Sequence, residues 1–154
     1  ITLALALCQV GRADEALAVL LEVNIESPYL FAVRALARAI TVDSSGAIDD
    51  AAQVATDVGA SYLDRVIADL GGGVAQLQLG RRELAKEHFE HAHATANEAG
   101  DVVARELVAL TRSAVSSEVA VEAAHVDSGH LGAGWKVVAN SLAAVVDTSG
   151  EPVA

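Results

Sequence analysis

A glycine at the end of a helix, followed five residues later by alanine, recurs along this chain at a nearly constant interval. Gly11 with Ala16, Gly46 with Ala51 and Gly80 with Ala85 carry the pattern, and the glycines stand 35 and 34 residues apart. Self-similarity at that period implies stacked helix pairs, because one pair cannot bury its own apolar face and needs a neighbour to cover it. Glycine permits the tight turn inside each pair, and the small alanine lets the two helices cross closely. Four residues after each alanine comes Leu20, Ala55 or Phe89, and three further on Val23, Val58 or Ala92. Such an i, i+4, i+7 stripe is the core face of an amphipathic helix.

In LALCQVGRADEALAVLLEVNIESP, the residues Gly11, Asp14, Glu15, Ala16, Leu20 and Pro28 fall without a gap at the positions of a tetratricopeptide repeat, which this stretch resembles. LGRRELAKEHFEHAHATANEAGD is similar, with Leu84 in place of the acidic residue before Ala85 and Asn97 where the proline would stand. SSGAIDDAAQVATDVGA keeps the glycine and alanine, and Gly59 is expected to end its helix. RELVALTRSAVSSEVAVEAAHV has the rhythm of a degenerate fourth copy turning near Ala114.

The resemblance covers about residues 1–126. It implies an all-α, tetratricopeptide-like solenoid of antiparallel helix pairs, three to four repeats long, in one domain over 1–146. A glycine-rich turn over 127–134 precedes a helix at 135–146 that reads as the cap of the stack. The tail 147–154 reads as frayed. Helices are expected near 2–10, 13–25, 29–41, 47–58, 61–79, 81–98, 101–113, 116–125 and 133–146. The alanine-rich repeats closing on LGAGW also resemble the helical repeats C-terminal to ATPase modules in large actinobacterial regulators of transcription or cyclase activity. That likeness implies a module that passes a signal to another domain.

Composition narrows the function. Of 154 residues, 53% are hydrophobic and only 3% aromatic, which suits helices packed through small side chains. The charge of −11, from 21 acidic and 10 basic residues, argues against nucleic acid as a ligand, since phosphates call for clustered Lys and Arg. The lone Cys8 has no partner for an intrachain disulfide, so the expected compartment is the cytoplasm. The apolar run at 1–10 is too short to cross a bilayer and lacks a preceding basic segment, so it reads as a core helix. The chain opens on Ile and contains no Met, which reads as a piece of a longer protein.

Tetratricopeptide domains bind extended or helical peptides on the concave face formed by the first helix of each repeat. Carried onto this chain, the resemblance implies a partner-binding face of Leu5, Gln9, Val33, Leu36, Ile40, Asp43, Ile67, Leu70, Val74 and Gln78. None is Lys, Arg or Asn, the types with which family members clamp acidic C-terminal peptides. An apolar face in an acidic domain suits an amphipathic helix or a neighbouring domain with a basic rim. The expected function is therefore a non-catalytic interaction module or regulatory scaffold. The opposing reading packs some of these side chains into the interior. A mean hydropathy of +0.39 adds self-association through terminal repeats as a further expectation.

The alternative from another class is a helical metal-binding enzyme or small-molecule sensor centred on His88 and His91, three apart on one helix with His93, Glu87 and Glu90. The spacing is not that of the HExxH motif, and Phe89 and Ala92 claim the core stripe, so no metal or cofactor is assigned. His125 and His130 bracket a polar turn. Gly71, Gly72 and Gly73 lack the Gly-Lys-Ser/Thr of a phosphate loop; Gly73 takes the small-residue position seven before Gly80, while the other two are expected to loosen the helix. Asp49, Asp50 and Asp57, and Glu98 with Asp101, read as solvated helix ends. No residue is assigned a catalytic role.

Overall fold

The protein is described by a computed structural model covering residues 1–119 and 129–149. Its described residues form eight α-helices and no strand: α1 (Thr2–Gln9), α2 (Ala13–Leu21), α3 (Pro28–Ile40), α4 (Ser44–Thr56), α5 (Tyr62–Gln78), α6 (Arg82–Ala99), α7 (Val102–Val119) and α8 (Ala133–Ser149). None of them is long and apolar enough to cross a membrane.

Local chemistry sets the helix starts. The Ser27 hydroxyl accepts from the Leu30 N–H at 3.1 Å, and Pro28 sits in the first turn, where its missing N–H has no partner to lose. Ser61 and Asp64 form a reciprocal capping box at the head of α5. Asp101 caps α7 through the Ala104 N–H at 3.1 Å.

Three helix ends share one turn. At Gly11 (φ 78°), Val42 (φ 64°) and Gly80 (φ 72°) the chain enters the left-handed region. The next N–H then reaches back to a carbonyl of the closing helix: Arg12 to Leu7 at 2.8 Å, Asp43 to Arg38 at 2.8 Å, Arg81 to Gln76 at 2.9 Å. This is the Schellman arrangement, which satisfies carbonyls that the helix end leaves open.

The turn residue of the middle pair is therefore Val42, and the expected register there is displaced by four residues. Gly46 lies inside the first turn of α4, where a β-carbon would strike the capping carboxylate of Asp43. The buried stripe of α4 is Ala47, Ala51 and Val54, whereas Ala55 and Val58 are exposed. Counted from the turn residue, these match Ala16 and Leu20 in α2, with Val23 just past its end, and Ala85, Phe89 and Ala92 in α6.

Another difference concerns α7, which runs unbroken through the turn expected near Ala114. Residues 120–128, including His125, lie outside the described residues. At the C-terminus α8 continues to Ser149; residues 150–154 also lie outside them.

The three consecutive glycines of α5 are fully helical and buried, and each admits a different neighbour. A β-carbon on Gly71 would meet the main chain of Ala35 at 2.9 Å, one on Gly72 the His88 ring at 2.9 Å, and one on Gly73 the Phe89 ring at 2.9 Å. They make α5 a hub that touches α3, α4, α6, α7 and α8, rather than a loosened segment.

The helices pack in a simple order. Each even helix from α2 to α6 touches only its two neighbours in sequence, and α1, α3, α5 and α7 touch one another in succession. The last helix contacts α1, α3, α5 and α7 and none of α2, α4 and α6. It thus lies along the row of odd helices, on the side away from the even ones.

Candidate functional site

That row carries nine of the ten residues expected to bind a partner; the tenth, Asp43, caps α4. Val33, Leu36, Ile67, Leu70 and Val74 are buried to within 1% of complete and belong to the core. They are not an open surface, which corrects the expectation of a free groove. Leu5 and Ile40 are half-buried against the same core. Half-buried Gln9 faces α8, where a β-carbon on Gly134 would stand 2.8 Å from its own. Gln78 is half-buried and structural: its amide donates to the Ala39 carbonyl at 2.8 Å, and its oxygen accepts from the Ser44 hydroxyl at 2.6 Å. Asp43 alone is exposed, and it caps α4.

Along the row of odd helices lies the chain's own α8. Val138, Ala139, Leu142 and Val146 are buried, Trp135 and Val145 half-buried, and Lys136 and Asn140 exposed. Apolar residues at 135, 138, 139, 142 and 146 follow the spacing of one helical face. Their seat also takes Val137, which passes close to Gly11 at the α1 turn.

A polar latch pins the entry to α8. The main-chain N–H of His130 donates to Glu106 Oε2 at 3.0 Å, and its ring Nδ1 lies 2.7 Å from Glu106 Oε1. Glu106 projects from α7 and is 9% exposed, so both oxygens of a nearly buried carboxylate are engaged by one residue. Sequence reasoning missed Glu106; the signal open to it was a lone carboxylate preceding the apolar run LVAL.

The histidines of α6 also meet an acid. Asp69, a lone carboxylate in the apolar middle of α5, accepts from His88 Nδ1 at 2.9 Å and pairs with His91 Nδ1. His91 borders an open cleft of about 410 Å³ with Tyr62, Arg65, Thr95 and Glu98. Among the described residues no group of three His, Cys, Asp or Glu side chains is placed to hold a metal ion. Arg65 is engaged at the end of α4, donating to the Asp57 carbonyl at 2.8 Å. This cluster ties α5 to α6.

No family model matches this chain. Nor is any curated protein or solved structure significantly similar to it. The functional reading therefore rests on its own geometry.

One more polar group departs from the sequence reading. Asp50 is not a solvated helix end: it is 2% exposed, takes a two-pronged ion pair from Arg34 at 2.7 and 2.9 Å, and accepts from Arg38 at 2.8 Å. Arg34 also lies 5.2 Å above the Phe31 ring. Cys8 is buried, and desolvation pushes its thiol up to about 11, which removes the thiolate that nucleophilic chemistry needs.

Proposed function

We propose that this chain is a tetratricopeptide-like scaffold without catalytic activity, which receives a helix of another protein or of a neighbouring domain on the row formed by α1, α3, α5 and α7. The observation that carries this reading is the seating of α8 across all four helices of that row. A surface that takes one amphipathic helix through small and aliphatic side chains is suited to another with the same stripe. The three equivalent turns, each followed by a small residue at a matching offset, support the repeat architecture. The charge of −11 favours a partner whose outward face is basic.

The test frees the face without touching it. In the full chain, Val138→Asp with Leu142→Asp places two carboxylates where α8 meets the core, and α8 leaves rather than bury them. Two labelled peptides are then titrated: residues 129–149 of this chain, and a designed helix with the same apolar stripe and lysines on its outer face. Saturable 1:1 binding of both is expected, with the lysine-rich helix the more salt-sensitive. If neither peptide binds while circular dichroism shows the remaining helices intact, the reading fails.

A further inference from the structure

We infer that α8 is an intramolecular competitor for the face it covers, and that the Glu106–His130 latch sets how often that face is open. This rests on the helix-binding reading above and adds its regulation.

The seat of α8 consists of apolar contacts, in which Val138, Ala139, Leu142 and Val146 are buried while Lys136 and Asn140 meet water. Contacts of that kind select for spacing and size more than for identity, so a partner helix carrying aliphatic or aromatic residues at i, i+3, i+4, i+7 and i+11 fits the same place. The competitor holds two advantages. It belongs to the same chain, so its docking is an intramolecular event that a partner in trans must outcompete. Its latch adds two hydrogen bonds from His130 to the carboxylate of Glu106, at the point where the chain enters α8.

An incoming helix therefore meets a face that is open only part of the time, and its apparent affinity falls in proportion to that open fraction. Any change that loosens the latch raises the open fraction and tightens binding in trans. The first turn of α8 offers a direct control. A β-carbon at residue 134 would stand 2.8 Å from Gln9 Cβ, and a shift of about 1 Å gives the spacing a disulfide needs.

The experiment uses the full chain carrying Cys8→Ser, Gln9→Cys and Gly134→Cys, in oxidised and reduced form, beside the unsubstituted chain and a Glu106→Ala variant. The probe is a labelled peptide of residues 129–149 bearing Trp135→Phe, so that the single Trp135 of the chain reports its own release. The reduced form is expected to bind the peptide about tenfold or more tightly than the oxidised form, and Glu106→Ala to bind it several-fold more tightly than the unsubstituted chain, with Trp135 emission moving to the red.

Equal binding by oxidised and reduced forms would place the peptide elsewhere and overturn the inference. Unchanged affinity in a Glu106→Ala chain that keeps its helicity would overturn the role of the latch. The variant with Val138→Asp and Leu142→Asp separates the two levels. Uptake by that variant alone would make α8 a permanent part of the fold, sinking the competition and leaving helix binding intact; refusal by every form would sink both.

Discussion

The α-carbon of Gly71 in α5 rests against the main chain of Ala35 in α3, where a β-carbon would stand 2.9 Å from both the carbonyl carbon and the oxygen. Backbone cannot swing aside as a side chain can. Gly71→Ala must push α5 away from α3, and a loss of about 2–3 kcal/mol in urea unfolding is expected, despite the better helix propensity of alanine. Gly72→Ala meets the His88 ring at 2.9 Å and the Ala51 β-carbon at 3.1 Å, side-chain atoms that give more readily than main chain, so its loss should be smaller. Equal effects at the two sites would contradict the close approach of the helices.

Val42 holds φ at 64°, a conformation its branched side chain resists, and it is 55% exposed, so it contributes little burial in return. Val42→Asn, which tolerates the left-handed region, should raise stability by about 1 kcal/mol. Thermal and urea midpoints would both shift upward. A fall in either would mean that Val42 makes packing contacts worth more than its strain.

Asp50 neutralises two guanidinium groups whose side chains are 18% and 19% exposed. Its carboxylate raises the Arg34 pKa, first through their direct hydrogen bonds. Asp50→Ala removes the hydrogen-bonded partner of Arg34 and leaves Arg38 with Asp43 and the Gly46 carbonyl, and should cost about 2–3 kcal/mol, discounted from a fully buried pair because the arginines still reach water. Replacing Asp50, Arg34 and Arg38 together by apolar residues should recover part of that loss. If the single and triple variants unfold alike, the ion network does not couple α3 to α4.

Tyr62 at the head of α5 donates to Asp101 Oδ2 at 2.7 Å, joining it to the start of α7. That hydrogen bond, followed by the Ala104 N–H, holds the Asp101 carboxyl below its ordinary range. A depressed carboxyl contributes stability that is present above its unfolded value of about 3.9 and is lost as pH falls through the lower folded value. The pair is exposed, so water screens it and its contribution is small. Tyr62→Phe should raise the Asp101 titration midpoint followed by NMR, and the stability gap between the two proteins should close in acid. An unmoved midpoint would sever the link.

Which stretches are helical, and where several begin, is legible in the local residue pattern. Apolar spacing marked every described helix, although it divided α7 near Ala114, and Gly11 and Gly80 marked two of the three equivalent turns. These signals are local, since they depend on dihedral preferences and on partners within four residues. The middle register was misread for the same reason. A glycine at 46 is the stronger local signal, yet Val42 makes the turn, because the packing of α3, α4 and α5 outweighs about 1–2 kcal/mol of backbone strain.

Tertiary structure alone decided what the apolar row faces. Nothing in Val33, Leu36, Ile67, Leu70 or Val74 distinguishes a groove from a core, since both call for the same side chains at the same spacing. The choice fell to α8, more than 50 residues beyond the last of the ten, which folds back along the row instead of closing its end. The same long-range packing made Asp50, Asp69 and Glu106 buried partners of Arg34 and Arg38, of His88 and His91, and of His130. A carboxylate leaves water only where a donor waits for it, and where that donor stands is a property of the assembled helices.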